Sequence, residues 1–291
     1  MSEIARRMDA LCRQEGTTPT PLPGVRLHRT SRNIVRAPLL YAQGIIIVGQ
    51  GSKMVHLGDK VHVYDPEHYL VLSVPLPAEC EAVIDPAKPL LSMVVDIDME
   101  LLRGIIGQLE ERRETLRPGC TQKGLYLARA DAAFKDTTAR LLHALASPDE
   151  ARVLGRGLVR ELLFRVLQGE NAAALYALAA HNTGLSRIDK ALRQIHENFN
   201  QSFNVEQLAE VVNMSPSAFH RAFKEVTAQS PIQYLKRVRL NKAKSLLVES
   251  GLRSSDAARL VGYESVSQFN REFKRYFGAS PRQLPELAGW Q

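Results

Sequence analysis

Met214-Ser215-Pro216-Ser217-Ala218-Phe219-His220-Arg221-Ala222-Phe223-Lys224 returns fifty positions later as Glu264-Ser265-Val266-Ser267-Gln268-Phe269-Asn270-Arg271-Glu272-Phe273-Lys274. Ser230-Pro231 likewise returns as Ser280-Pro281. Apolar anchors, surface cations and helix starts repeat in register, as they do in a duplicated structural unit. At about 100° per residue, Phe219, Phe223 and Val226 share one helical face, while Ser217, Arg221 and Lys224 lie opposite with His220 on the flank. In the second copy Phe269 and Phe273 point inward and Ser267, Arg271 and Lys274 outward, with Gln268 and Asn270 at the margins. One face packs and the other is free to read a partner.

Each unit carries a shorter helix before this one. Asn204 is a good N-cap, with Gln207 placed for a capping box and Phe203 and Leu208 for a hydrophobic staple. The first helix is expected over Val205 to Val212, the turn at Asn213-Met214, and the second helix from Pro216 to Thr227. Ser255 to Val261 and the helix capped by Ser265 repeat the arrangement across Gly262-Tyr263-Glu264. Ile232 to Glu249 reads as one continuous helix between the units. Its length, roughly 27 Å at 1.5 Å per residue, is comparable with the ~34 Å between successive major-groove faces of B-DNA. Two tandem helix-turn-helix units are therefore expected on adjacent turns of one duplex.

The charge agrees. The chain has 291 residues and a formal net charge of +7. From Leu185 onward there are sixteen Lys/Arg against ten Asp/Glu, whereas the first 184 residues hold twenty-two against twenty-one. A cationic segment beside a neutral one suits a polyanion partner for one half only. The composition, 45% hydrophobic and 24% charged, is that of an ordinary globular protein. No apolar leader and no uncharged run of membrane-spanning length are visible, so a cytoplasmic protein without a membrane partner is expected. Cys12, Cys80 and Cys120 are odd in number and widely spaced, which argues for reduced structural thiols over a disulfide framework or a zinc site.

Residues 17 to 97 read as strands and turns. Gly44 to Gly49, Lys53 to Leu57, Val61 to Tyr64, Tyr69 to Val74 and Leu90 to Val95 are short apolar runs, with Pro75, Pro77, Pro86 and Pro89 closing turns. This spacing predicts a small barrel or sandwich. From Asp98 the period becomes helical: Met99, Leu102, Ile105, Ile106 and Leu109 form one face, and Leu158, Leu162, Leu163, Val166 and Leu167 another after Ser147-Pro148. Leu102, Ile106 and Leu109, or Leu158, Leu162 and Phe164, suit either a dimer seam or packing on the chain's own barrel. A long helical run is expected from Asp149 to His181, with the linker at His181-Asn182-Thr183-Gly184. The fold class is thus α+β: residues 1–180 a β-barrel with flanking helices, 181–186 a linker, and 187–285 an all-α double helix-turn-helix.

The run Met214 to Lys224, with Ser230-Pro231-Ile232-Gln233-Tyr234-Leu235 and Arg239-Leu240-Asn241-Lys242-Ala243, resembles the DNA-binding domain of the AraC/XylS family of bacterial regulators. Gly262-Tyr263, Ser267 to Lys274 and Gly278-Ala279-Ser280-Pro281 resemble its second half. Two departures stand out. Ala228 occupies the position where the family has the Gly seen here at Gly278, and a left-handed cap there costs Ala on the order of 1 kcal/mol. Leu284-Pro285-Glu286 replaces the usual Tyr-Arg ending. Arg7-Met8-Asp9, Gly49 to Lys53, Leu57-Gly58-Asp59, Tyr64-Asp65-Pro66 and Val74 to Pro77 resemble the cupin-like N-terminal domain of one subgroup of these regulators.

The resemblance implies promoter DNA, RNA polymerase, a small-molecule effector and a second copy of the chain as partners, with activation of transcription as the commoner outcome. It implies neither a cofactor nor enzymatic activity. Arg221 and Arg271 are the base readers expected to grip a guanine edge, and Ser217, His220, Ser267, Gln268 and Asn270 are short polar groups able to approach bases. Gln268 has a second reading as capping-box partner of Ser265. Lys224, Lys236, Arg237, Arg239, Lys274 and Arg275 are expected to contact phosphate. The effector-binding residues are not identified. His56, His62 and His68 lack the His-x-His spacing of a metal-binding cupin and read as ordinary strand and turn residues. A cupin-type metal enzyme and a non-specific architectural DNA binder remain as alternatives.

Overall fold

The computed structural model describes residues 1–109, 123–169, 171–180, 183–202 and 204–284. The N-terminal part begins with helix α1 (Glu3–Leu11), followed by strands β1 (Gly16–Pro19), β2 (Val25–Thr30), β3 (Ile34–Tyr41), β4 (Gly44–Gln50), β5 (Lys53–Leu57), β6 (Lys60–Tyr64), β7 (His68–Leu72), β8 (Leu76–Ala82) and β9 (Leu90–Asp96). Helix α2 (Met99–Gln108), strand β10 (Leu125–Arg129) and helices α3 (Ala132–Ala144), α4 (Pro148–Gln168) and α5 (Ala173–Ala179) complete it. The described strands make a six-stranded sheet, β1-β2-β9-β4-β7-β10, and a four-stranded sheet, β3-β8-β5-β6, all antiparallel. The two sheets are not joined by a hydrogen-bonded ladder among the described residues, so the expected barrel is an open, two-sheet structure.

β4 and β7 lie in the middle of their sheet, covered on both faces, and their apolar runs are nearly continuous. Pro77, expected in a turn, lies inside β8 opposite Leu40. α1 was hidden because only Ala5 and Met8 of its nine residues are buried. Met8 rests on Gly49, where an added Cβ would come within 2.6 Å of its sulfur, and the ladder shifts register beside that glycine, between Val48 and Gln50. α3 is pinned by Phe134, which stacks on Tyr69 with ring centroids 4.1 Å apart.

The long helical run expected from Asp149 to His181 is two helices, because α4 stops at a Gly169 cap and α5 begins at Ala173. Leu102, Ile106 and Leu162 are buried, and Leu109, Leu158 and Phe164 pack against the same core. These side chains serve their own domain. Of the expected linker, His181 and Asn182 lie outside the described residues, while Thr183 caps helix α6 (Gly184–Glu197). The helices α7 (Val205–Val211), α8 (Pro216–Thr227), α9 (Pro231–Val248), α10 (Ser254–Leu260) and α11 (Val266–Phe277) follow. Phe203, Cys120 and residues 285–291 also lie outside the described residues, and with them the hydrophobic staple, one thiol and the tail.

The described residues form two apolar cores, and their division falls inside α9. Phe219, Phe223, Val226, Tyr234, Leu235 and Val238 join the core of the β-sheets, whereas Leu240, Ala243, Leu247, Ala257, Phe269 and Phe273 form a second. The first helix-turn-helix is therefore continuous with the N-terminal half, and the second stands on a core of its own.

Candidate nucleic-acid interface

The two units are built by the same local chemistry. Ser215 and Ser265 accept the backbone N–H groups of Ala218 and Gln268, at 3.4 and 3.3 Å, which starts α8 and α11. The preceding turns close by Met214 N–H to the Ala209 carbonyl and Tyr263 N–H to the Ala258 carbonyl, each at 2.9 Å. Asn213 at φ 54° and Gly262 at φ 84° supply the left-handed residue in each turn. The fifty-residue register begins only at Ser215: Val205 and Ser254, at the starts of the supporting helices, and Met214 and Tyr263, in the turns, lie forty-nine residues apart, so Glu264 is an extra residue and Met214 matches Tyr263 instead. The C-terminal caps differ too, with Ala228 at φ 59° where the second unit has Gly278 at φ 76°.

Phe219, Phe223, Phe269 and Phe273 are fully buried, which turns the opposite faces outward. Ser217, His220, Arg221 and Lys224 on α8 are exposed, as are Ser267, Gln268, Asn270, Arg271, Lys274 and Arg275 on α11. Among the described residues Arg221 and Arg271 make no hydrogen bond or ion pair, so both guanidinium forks are free for a ligand. Asn270 is engaged, its Oδ1 accepting from Ser254 Oγ at 2.8 Å. Gln268 does not turn its side chain back to Ser265; its Nε2 donates forward to Glu272 Oε1 at 3.2 Å.

The six cations expected on phosphate divide into two groups. Lys224, Lys274 and Arg275 are exposed. Lys236 pairs with Glu272 at 3.1 Å, and Arg237 lies over the Tyr276 ring at 5.7 Å. Arg239 donates to the carbonyls of Phe199 and Gln201, at 2.6 and 2.8 Å, and ties α9 to the segment after α6. Sequence reasoning could not see this, because the acceptors are backbone atoms.

The end of α8 is fastened to the N-terminal half. Gln229 Nε2 donates to the Pro77 carbonyl at 2.8 Å, Tyr234 Oη to the Pro75 carbonyl at 2.8 Å, and Gly124 N–H to the Val226 carbonyl at 3.1 Å. Since the Tyr234 hydroxyl proton goes to Pro75, His196 Nε2, 2.8 Å away, must be the donor to Tyr234 Oη. Burial, with Lys242 adding to it, pushes the His196 pKa down to about 4, so the ring is neutral near pH 7.

A polar cluster lies in the N-terminal half. Lys53 is 8% exposed and its ammonium makes no hydrogen bond or ion pair among the described residues. Burial lowers its pKa, and the group acting on it electrostatically is the Cys80 thiol, itself pushed up by burial. Tyr41 and Tyr64 are buried beside Cys80, and burial pushes both phenols up. The three histidines are not brought together: His56 meets Glu81 at 2.9 Å, His68 meets Asp65 at 3.1 Å, and His62 sits half-buried on β6. No described group of three or more His, Cys, Asp or Glu could hold a metal ion.

Two tandem helix-turn-helix units, each offering a cationic helix face and carried on a β-rich domain, define a double DNA-binding module with an attached second domain. Comparison with known proteins agrees: the AraC-type transcriptional regulator N-terminus matches residues 21–174, just over half the chain, and a helix-turn-helix domain matches residues 208–286. The chain belongs to the AraC/XylS family of transcriptional regulators. It is similar to the bifunctional transcriptional activator/DNA repair enzyme AdaA of Bacillus subtilis, 28% identical over 101 residues, covering 35% of this chain and 48% of that protein. It is also similar to the transcriptional activator RhaS of Escherichia coli (strain SE11), 33% identical over 99 residues, 34% of this chain and 36% of that one. The chain thus spans less than half the length of these relatives. Unsaturated fatty acid bound ToxT from Vibrio cholerae shares the fold over 91% of this chain and 95% of its own, with a TM-score of 0.65 and 12% identity. No described helix is long and apolar enough to cross a membrane.

Proposed function

We propose that this chain is a sequence-specific regulator of transcription, an activator, that inserts α8 and α11 into successive major grooves of promoter DNA. The observation that carries this reading is the pair Arg221 and Arg271: the same residue at the same place on two exposed helix faces, each opposite two buried phenylalanines, each with its donors unspent. A free guanidinium on a helix face makes the commonest specific contact with guanine. Ser217, His220, Ser267, Gln268 and Asn270 complete the base-facing set, and Lys224, Lys274 and Arg275 contact phosphate. Lys236, Arg237 and Arg239 contribute to positive potential more than to direct contact, because their side chains are already engaged.

Footprinting followed by binding to single-base operator variants tests the reading. Arg221→Ala and Arg271→Ala are each expected to relax one distinct site position by about 1–3 kcal/mol. A uniform loss on all sequences would assign them to phosphate, and failure of the unaltered protein to protect any defined site would leave the architectural reading instead.

The N-terminal domain is proposed to take a small organic acid that shifts the balance of DNA-competent arrangements. Lys53 supports this, since a buried ammonium without a counter-charge is costly and an incoming carboxylate relieves that cost. ToxT, whose fold is similar, is described as bound to an unsaturated fatty acid. Operator affinity measured during titration with oleate, decanoate and benzoate should change with at least one of them and stop changing in Lys53→Met. A cytoplasmic, non-enzymatic protein that contacts RNA polymerase and pairs with a second copy completes the proposal. Val153 and Leu154, exposed together on α4, support the pairing.

A further inference from the structure

Glu272 lies on α11 with its side chain largely covered, and three donors converge on it. Gln268 Nε2 reaches Oε1 at 3.2 Å, Lys236 Nζ reaches the same oxygen at 3.1 Å, and Tyr263 Oη reaches Oε2 at 2.9 Å. Burial alone would raise the pKa of this carboxyl, but the bonds from Gln268, Lys236 and Tyr263 outweigh it and hold the group ionised. An ionised carboxylate can only accept. The nitrogen of the exposed Gln268 amide must therefore face Glu272, which leaves Oε1 and one N–H of the same amide for a ligand.

The first unit has no counterpart to this arrangement. Ala218 and Ala222 stand where α11 has Gln268 and Glu272, and Lys236, though on α9 next to the first unit, is drawn to the second. Asn270 differs from Gln268 in the opposite sense: its Oδ1 is taken by Ser254, so it offers donors. A carboxylate next to DNA would ordinarily be repelled by phosphate, and Lys236 offsets that charge.

We infer that Glu272 is a specificity-determining positioning residue, which holds the Gln268 amide in one orientation so that α11 presents a fixed acceptor and donor to the N6 and N7 edge of adenine. Gln paired bidentately with adenine uses one acceptor and one donor in that geometry. Lys236 is held by the same carboxylate and is withheld from phosphate. The inference rests on the proposed reading of α11 as a base-reading helix.

Selection from randomised duplexes with the full-length protein, followed by affinity and salt titrations, tests it. The unaltered protein should enrich adenine at one position of the half-site read by α11. Gln268→Ala and Glu272→Ala should each reduce that preference about tenfold, and the double variant should lose no more than either alone. Positions that respond to Arg221→Ala should not change. Glu272→Gln keeps an acceptor for Gln268 and loses the charge that holds Lys236. It should retain most of the adenine preference, and its affinity should fall more steeply with salt, by about one extra phosphate contact. The inference is overturned if Glu272→Ala weakens all sequences equally with the adenine preference intact, or if Gln268→Ala and Glu272→Ala act at different positions. It is also overturned if Glu272→Gln loses the preference with no steeper salt dependence. Enrichment of no sequence by the unaltered protein would instead remove the reading of the chain as a sequence-specific regulator.

Discussion

Two positions show how a single backbone angle sets the cost of a side chain. Ala228 ends α8 in the left-handed region, where its Cβ is strained, and it is exposed. Ala228→Gly removes that strain and is expected to stabilise the protein by about 0.5–1 kcal/mol, read as a rise in Tm. Gly262 is the reverse case. A Cβ there would lie 2.4 Å from the Asn200 carbonyl oxygen, at a φ of 84° that already disfavours one. Gly262→Ala should destabilise by on the order of 2 kcal/mol or more, measured by urea unfolding. The first of these positions was legible in the sequence, because the repeat set Ala228 against Gly278. The contact between Gly262 and Asn200 joins two separate segments and leaves no local mark.

At the scale of elements, both ends of α8 and the start of α11 are legible in the sequence because Ser caps, buried phenylalanines and the repeat all agree. α6 carries a clear apolar face in Leu185, Ile188, Leu192 and Ile195, but its start is marked only by the Thr183 cap inside a polar stretch that also reads as a linker. β8 was obscured by Pro77, tolerated there although it can donate nothing to the ladder. The face of each recognition helix was likewise legible from its period. Which cations remain free on that face was not, because Arg239 is occupied by backbone carbonyls and Lys236 by a carboxylate on another helix. That difference is measurable. Arg239→Ala should cost about 1–3 kcal/mol of stability by loss of charge-assisted hydrogen bonds, with the salt dependence of DNA binding unaltered. Lys274→Ala should leave stability within about 0.5 kcal/mol and reduce the salt slope by about one.

At the scale of the whole molecule, burial of two neutral histidines ties stability to pH. His196, with its pKa held near 4, hydrogen-bonds Tyr234, which in turn bonds Pro75. His28, in the β-sheets, is held near 4 as well, by burial first and then by Lys53. In the unfolded chain both rings take a proton near pH 6.5, so between pH 6.5 and 4 the unfolded state binds more protons. Stability is therefore full above about pH 6.5 and falls as pH drops toward 4, by on the order of 2–3 kcal/mol for each ring. His196→Gln retains a donor for Tyr234 and should flatten that acid limb in urea titrations across the same window. An unchanged limb would locate the titration elsewhere.

The partition of the apolar cores inside α9 also says where this protein can be cut and rejoined. Val238 belongs with the β-sheets and Leu240 with the second unit, so a splice at Arg239 keeps each apolar core whole, and a graft there must preserve the pairing of Lys236 with Glu272 and of Arg237 with Tyr276. A splice at Thr183, within the linker expected from the sequence, would strip Phe219, Phe223 and Tyr234 from the core that buries them. Hybrids that exchange the last unit at α9 should fold and carry a changed half-site, whereas hybrids joined before α6 must also import a matching surface around Pro75 and Pro77.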